Sequence, residues 1–365
     1  ILFKEKINLD EHHLIYPISV LVSYIFATTF NGTVIPSLNL LGFPGHFVIW
    51  TFLTNFLGLF LSYGLVKWIE PGPLSWLIGQ VISFLFCGII ALITLYFKTS
   101  SKEIKSPHFE SWNDRTRRVL SFAAPIAVTN VAVWSLAQSF RFFYKENVDL
   151  SILGELAFGL GLATSLSVAV EYLLQQIYLP SFYKKLSDPS SDKSTTWNRL
   201  LNRLIPPYLL LVMFMIGLSP FIMRILADEK FKNSYKYFAL GAIVECLRML
   251  GNIFTMATQA ELKTKKAVGP YLAGGLVTIL GVFYVCKHPE YVTYTPYCLM
   301  AGYFTALVGL KMSVASILIV KLNVGDVLKI GTMSLIFLTA LLMEKLSSSL
   351  LNSIVVCGCY GLLFT

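Results

Sequence analysis

The sequence predicts an all-α polytopic membrane protein with about eleven transmembrane helices. Three observations carry that reading. Apolar runs of bilayer length recur along the whole chain. Only 13% of the 365 residues are charged, 55% are hydrophobic, and the mean hydropathy is +0.67, whereas a soluble domain carries about 25% charged residues. Lys and Arg gather between the apolar runs, where they set orientation, so the net charge of +9 is no sign of nucleic-acid binding.

A hydrocarbon core about 30 Å thick is crossed by roughly 20 apolar helical residues. The first run, 14–32, has that length, and a cation-free turn over 34–46 leads to the second, 47–67. The third covers 76–97. "KTSSKEIKSPHFESWNDRTRR" (98–118) then separates it from the fourth, 119–140, and is placed to link two bundles. The fifth, 153–178, is followed by a second polar, basic stretch over 184–203. The remaining runs are 205–227, 235–258, 268–286, 294–320, 327–344 and 349–365. A soluble all-α core of this size cannot bury so many runs of this length. The alternating segments of a transmembrane barrel are missing.

Alternate connections differ in charge. One side holds Lys98, Lys102, Lys105, Arg115, Arg117, Arg118, Lys184, Lys185, Lys193, Arg199, Arg203, Lys263, Lys265, Lys266, Lys321 and Lys329, sixteen in all. The other holds eleven: Lys4, Lys6, Lys67, Arg141, Lys145, Arg224, Lys230, Lys232, Lys236, Lys287 and Lys345. The richer side is expected to be cytoplasmic. The first helix then runs inward from outside. Together with an opening on Ile1 instead of Met, this predicts an odd number of helices before residue 1.

Nothing in the motifs proposes an enzyme, a cofactor or a metal. The six cysteines form no CxxC pair, and most lie within apolar runs. The five histidines lack metal-ligand spacing. GxSxG, HExxH and the P-loop are absent. A faint internal echo lays 33–60 on 256–283, matching Leu57, Gly58 and Phe60 with Leu280, Gly281 and Phe283. Transporters are often built from such repeats.

The informative residues are polar ones inside the runs. "FALGAIVECLRMLGN" (238–252) carries Glu245 and Arg248 at its centre, and at 100° per residue Gly241, Glu245, Arg248, Asn252 and Gln259 share one stripe. A second stripe holds Asn130, Trp134, Gln138, Arg141 and Lys145, and a third Thr164, Ser167, Glu171, Gln175 and Tyr178. Lys311 sits within 294–320. Ionisable residues at membrane depth usually face a bundle interior or a wet cavity. Structural readings stand beside this one. Glu245 and Arg248, at i, i+3, can form a closed ion pair. Arg141, Lys145 and Lys311 can snorkel, and Asn and Gln can join helices. Three neighbouring stripes fit a hydrated lumen better than isolated fasteners. Their mixed charge, with a cationic tilt, suits a large polar anion that Arg could grip bidentately.

"VLSFAAPIAVTNVAVWSLAQSFRFFY", "LGELAFGLGLATSLSVAVEYLLQQIYLPSFYKKL" and "YFALGAIVECLRMLGNIFTMATQAELKTKK" resemble the C-terminal lobe of Wzx-type polysaccharide flippases. These belong to the multidrug/oligosaccharidyl-lipid/polysaccharide exporter superfamily. The features that carry the resemblance are Pro125, the "LGELAFGLGLA" entry, the "QQIYLPSFYKK" exit with Pro180, and the basic loop before Val119. It covers most of 14–320 and implies a two-lobe transporter. Residues 1–97 then resemble helices four to six of a truncated N-terminal lobe, 98–118 the cytoplasmic inter-lobe loop, 119–320 helices seven to twelve, and 321–365 two extra helices. It implies a multi-pass protein of the bacterial inner membrane that moves undecaprenyl-pyrophosphate-linked oligosaccharide by alternating access. The implied partners are membrane lipids, an H⁺ or Na⁺ coupling ion, and the polysaccharide polymerase and glycosyltransferases of the same pathway. The expected substrate-binding residues are Arg248, Glu245, Asn252, Arg141, Gln138, Asn130, Glu171, Gln175 and Lys311.

Two alternatives differ in class. A small-molecule or drug antiporter on this fold would use Glu171 and Glu245 for a cation, which Arg248 and Arg141 oppose. An O-antigen polymerase or ligase would carry a large outer loop, whereas the two longest loops here fall on the basic side.

The charge asymmetry makes a topological prediction. Cysteines introduced at Ser106 and Ser190 should resist an impermeant maleimide in intact cells, while those at Asn147 and Asn233 should react. The reverse labelling would invert the orientation.

Overall fold

A computed structural model describes residues 11–99, 112–144, 149–186, 188 and 190–362. Among them are twelve α-helices joined by turns and short 3-10 segments, with no strand. Ten helical segments are long and apolar enough to cross a membrane. Much of the apolar surface faces outward: Phe26, Phe52, Phe60, Leu280 and Phe304 are all more than half exposed. Such a surface is stable against lipid and costly in water. The chain is an all-α, multi-pass membrane protein.

Contacts divide it into two units, Ile1–Phe109 and Glu110–Thr365. The first holds α1 (Glu11–Leu40), α2 (Pro44–Trp68) and α3 (Pro73–Thr99). Gly42, at φ +90°, reverses the chain between α1 and α2, a conformation glycine adopts without a Cβ penalty. In lipid, apolar burial does not drive helix pairing, so close approach and hydrogen bonds must do so. The α2–α3 seam has both. Thr54, Gly58 and Ser62 recur every fourth residue on α2, facing Gly79 and Ser83 on α3. Ser83 Oγ donates to the Thr54 carbonyl at 2.6 Å, Ser62 Oγ to the Trp76 carbonyl at 2.8 Å, and Gln80 Nε2 to Ser62 Oγ at 3.1 Å. Asn31 of α1 donates to the Phe84 carbonyl at 3.1 Å. A Cβ at Gly79 would overlap the Ser62 backbone nitrogen.

The second unit holds α4 (Trp112–Tyr144), α5 (Leu150–Leu186), α6 (Lys193–Gly217), α7 (Ser219–Leu226), α8 (Tyr235–Ala260), α9 (Lys265–Lys287), α10 (Thr295–Ala315), α11 (Val324–Ser334) and α12 (Leu350–Leu362). A 3-10 segment, Leu335–Ser348, follows α11. The main core packs α6 against α8, with Trp197, Tyr208, Phe221 and Phe238 essentially inaccessible. Antiparallel neighbours gather one set of connections at a single end. Thr264 Oγ1 donates to the Phe122 carbonyl at 3.1 Å, Lys193 pairs with Glu261 at 3.3 Å, and Lys266 Nζ donates to Ser316 Oγ at 2.5 Å. This end therefore carries Arg115, Arg117, Arg118, Lys184, Lys185, Lys193, Arg199, Arg203, Lys263, Lys265, Lys266 and Lys321. At the other end Tyr144 and Thr295 share a 2.7 Å hydrogen bond.

The structure revises several boundaries. In the eleventh run the described residues form one helix, α12, of 13 residues. Helices also outrun the apolar windows, because polar helix formers continue a helix into water. Thus α4 starts at Trp112, inside the stretch expected as a loop, and α5 and α6 leave only 187–192 between them. Asp192 stops the α6 N-terminus from fraying by accepting from the Ser194 and Thr195 amides. The run 205–227 breaks at Leu218, ahead of Pro220, which lacks an amide donor. The run 294–320 ends as helix at Ala315. Beyond it the chain is extended and clasped by α6: Asn198 bonds the Ile319 carbonyl and the Lys321 amide, both at 2.7 Å, and Asn202 bonds the Lys321 carbonyl at 3.0 Å and the Asn323 amide at 2.7 Å. Residues 100–111 of the expected inter-lobe loop, with Lys102, Lys105 and Ser106, lie outside the described residues. So do Lys4, Lys6, Lys145 and Asn147.

The α2–α3 seam sets up a stability test. Gly79→Ala should destabilise the detergent-solubilised protein by about 1–3 kcal/mol, the usual range for overpacking, read as a lower thermal midpoint. Gly45→Ala, where a Cβ meets nothing within 4 Å, should leave it unchanged. Equal midpoints for the two variants would show that the seam is not close-packed.

Candidate functional site: a membrane-depth cavity and its charged floor

Within the second unit, α4, α5, α8 and α10 enclose a cavity of about 540 Å³. The α4 wall supplies Asn130, Trp134, Gln138 and Arg141, α5 Gly161 and Thr164, α8 Gly241, Glu245 and Arg248, and α10 Leu299 and Tyr303. These positions fall in the half of the unit away from its basic end. Arg248 lies twelve residues before the end of α8, about 18 Å along the helix. A smaller polar pocket, lined by Asn130, Thr255, Thr258, Gln259 and Thr264, continues toward the basic end.

A close approach of α5 and α8 builds the floor. A Cβ at Gly241 would press on Ala163 and Leu160, so glycine brings the two backbones together one turn from Glu245. Thr164 Oγ1 consequently donates to Glu245 Oε1 at 2.7 Å. Arg248 Nε donates to Glu245 Oε2 at 2.5 Å. Its Nη2 reaches across to Glu171 Oε2 on α5, an ion pair at 2.8 Å. The other Glu171 oxygen accepts from Asn252 at 2.8 Å and Gln175 at 3.1 Å. Glu171 and Glu245 are each 4% exposed. The result is a buried carboxylate–guanidinium–carboxylate clasp across two helices, with one negative charge in excess when all three groups are ionised.

Arg141 differs. It sits at the rim, three residues before the end of α4, with its guanidinium carbon 5.7 Å from the centre of the Phe140 ring. It reaches over α5 at Gly161, where a Cβ would lie 4.0 Å from its Nη2. Among the described residues no carboxylate pairs with it. It lies beside Trp134, Gln138 and Asn130 on the cavity wall.

The nine residues expected from the sequence therefore separate into groups. Asn130, Gln138, Arg141, Glu245 and Arg248 line the cavity. Glu171, Gln175 and Asn252 lie behind it: Glu171 pairs with Arg248, and Gln175 and Asn252 donate to Glu171. Lys311 stands apart, exposed on α10. Sequence reasoning missed Leu299 and Tyr303, because α10 has no polar stripe to mark the face it turns to the cavity. It also missed Tyr208 of α6, fully buried beside Glu171 and Gln175. No group of three or more His, Cys, Asp or Glu among the described residues could hold a metal ion.

The clasp predicts strong single-site effects and a compensated multiple variant. Removing one partner of a buried pair costs about 3–5 kcal/mol, because an uncompensated charge remains. Arg248→Ala should therefore lower the thermal midpoint and the yield of folded protein. The triple variant Glu171→Gln/Glu245→Gln/Arg248→Gln should recover most of both. A single Arg248→Ala that melts like the unaltered chain would show that the clasp does not stabilise the fold.

Compared with protein-family models, with curated proteins and with solved structures, the chain matches none.

Proposed function

We propose that the chain belongs to a flippase that translocates undecaprenyl-pyrophosphate-linked oligosaccharide across the bacterial inner membrane by alternating access, with no bond broken. The observation that carries this reading is Arg141: a guanidinium with no carboxylate partner among the described residues, at the rim of the cavity. A fixed cation in such a site attracts an anion strongly, and its planar fork matches phosphate or an acidic sugar. Trp134, Gln138 and Asn130 beside it offer an aromatic face and amide donors suited to sugar hydroxyls. The polyprenyl tail would stay in lipid while the headgroup crosses. Arg248, by contrast, is occupied by Glu171 and Glu245, so the substrate grip moves from Arg248 to Arg141. The basic end would face the cytoplasm, which puts the cavity in the outer half of the membrane. The resemblance to Wzx-type flippases supports the same reading. It brings the polysaccharide polymerase and glycosyltransferases of the pathway as partners, and H⁺ or Na⁺ as the coupling ion.

One observation favours a second reading, an ion-coupled small-molecule antiporter. The floor holds two carboxylates to one guanidinium, and the surplus charge suits a proton or Na⁺.

Complementation of a flippase-null strain by the full-length protein distinguishes the readings. A charge-assisted hydrogen bond contributes roughly 1.5–3 kcal/mol. Arg141→Ala should therefore cut surface polysaccharide by about tenfold or more at unchanged protein level, with lipid-linked oligosaccharide accumulating, and Arg141→Lys should restore part. Full export by Arg141→Ala would remove this residue from the substrate path. Failure of the unaltered protein to move lipid-linked oligosaccharide at all would favour the antiporter.

A further inference from the structure

Away from the cavity, the basic end of the second unit contains a cationic groove that the transport reading does not use. The last turns of α5 lie beside the first turns of α6. α5 presents Tyr178, Ser181 and Lys185, and α6 presents Thr196, Arg199 and Arg203, all lining one shallow pocket. Both sets are spaced i, i+3, i+7, so each forms a single helix face. The pocket's volume of about 20 Å³ admits one oxygen-sized group, not a sugar ring.

Three cations and no carboxylate line this groove. Lys185, Arg199 and Arg203 are exposed, and none is in an ion pair among the described residues. The nearest acids in the chain are committed elsewhere. Asp188 accepts from the Ser190 amide and hydroxyl, and Asp192 from the amides of Ser194 and Thr195 and the Thr195 hydroxyl. Those bonds hold both carboxyls below the usual carboxylate range. Arg199 and Arg203 stand at i, i+4, where like charges destabilise a helix unless an anion lies between them. The Arg203 guanidinium carbon is 6.0 Å from the centre of the Tyr178 ring, which directs it toward the groove.

The depth of the groove points to an amphiphile. Arg203 is ten residues beyond the first residue of α6, about 15 Å along the axis, and the apolar run of that helix begins at the next residue. On α5, Ile177 and Leu173 lie one and two turns below Ser181 and are 66% and 63% exposed. Cations thus sit directly above bare hydrocarbon, at the boundary between headgroups and acyl chains. Basic pockets between helices at this level are suited to anionic lipid headgroups. We propose that Lys185, Arg199 and Arg203 bind the phosphate of an anionic phospholipid, whose acyl chains run along Ile177 and Leu173. Free phosphate is also an anion but gains nothing from the apolar strip. The inference rests on the membrane-spanning fold and not on the identity of any transported substrate.

Native mass spectrometry of the purified full chain tests it, with phosphatidylglycerol titrated against phosphatidylcholine. The unaltered protein should retain phosphatidylglycerol preferentially. That preference should fall by about fivefold for each cation replaced by Gln among Lys185, Arg199 and Arg203. Arg199→Lys/Arg203→Lys should keep it. Lys230→Gln/Lys232→Gln/Lys287→Gln, at the opposite end, should also keep it. Should the triple groove variant fail to fold, Arg199→Gln alone, at an exposed position, carries the same test. An unchanged preference in a folded groove variant would overturn the proposal. So would displacement of phosphatidylglycerol by inorganic phosphate, which would assign the groove to the free anion.

Discussion

The second unit depends on one contact, the bridge that Arg248 makes between carboxylates of two helices. A lone guanidinium at membrane depth is costly, and so is a lone carboxylate. Glu245 lies on the same helix as Arg248, but Glu171 lies on the neighbouring one, so satisfying the charges requires α5 and α8 to stay together in one register. Gly241 permits the approach, and Thr164, Asn252 and Gln175 occupy the remaining carboxylate oxygens. The clasp also shapes the cavity, whose floor is the ion pair itself and whose walls are the helices that flank it.

The same constraint runs through the rest of the chain in milder forms. Helices surrounded by lipid cannot rely on the expulsion of water to pair. In the first unit, glycine and serine bring α2 and α3 into contact and hydroxyls bond across the seam. In the second, Gly274 and Gly302 bring α9 against α10. Asn198 and Asn202 satisfy the extended stretch after α10, as a neighbouring strand would in a sheet. Gly58 and Gly281, matched in the internal echo, both stand where a Cβ would crowd the following helix, against Gln80 and Cys298 respectively.

Charge is distributed according to what each position can satisfy. Arg248 is paired from two sides, whereas Arg141, at the rim, pairs with no carboxylate among the described residues. The cations of the groove between α5 and α6 are likewise without an ion-pair partner among the described residues, but they are exposed. Lys311 belongs with neither group. It is exposed on α10, and its long stem can carry the ammonium toward the interface.

Composition, the recurrence of apolar runs and the placement of Lys and Arg determined the class of this protein, because a bilayer demands a fixed length of continuous apolar helix and admits little else. Helical periodicity also marked the polar faces of α4, α5 and α8, since side chains about 100° apart must share a stripe. Partner choice lay beyond both. Periodicity puts Glu245 within reach of Arg248 on one helix, but only the packing of α5 against α8 supplies Glu171 as the second counter-ion. That packing makes Arg248 a fastener between the two helices. Only the tertiary structure, likewise, adds Leu299 and Tyr303 to the cavity. Apolarity says that a residue avoids water. Which neighbour it meets, and where its helix stops, are decided by contacts between segments far apart in the chain.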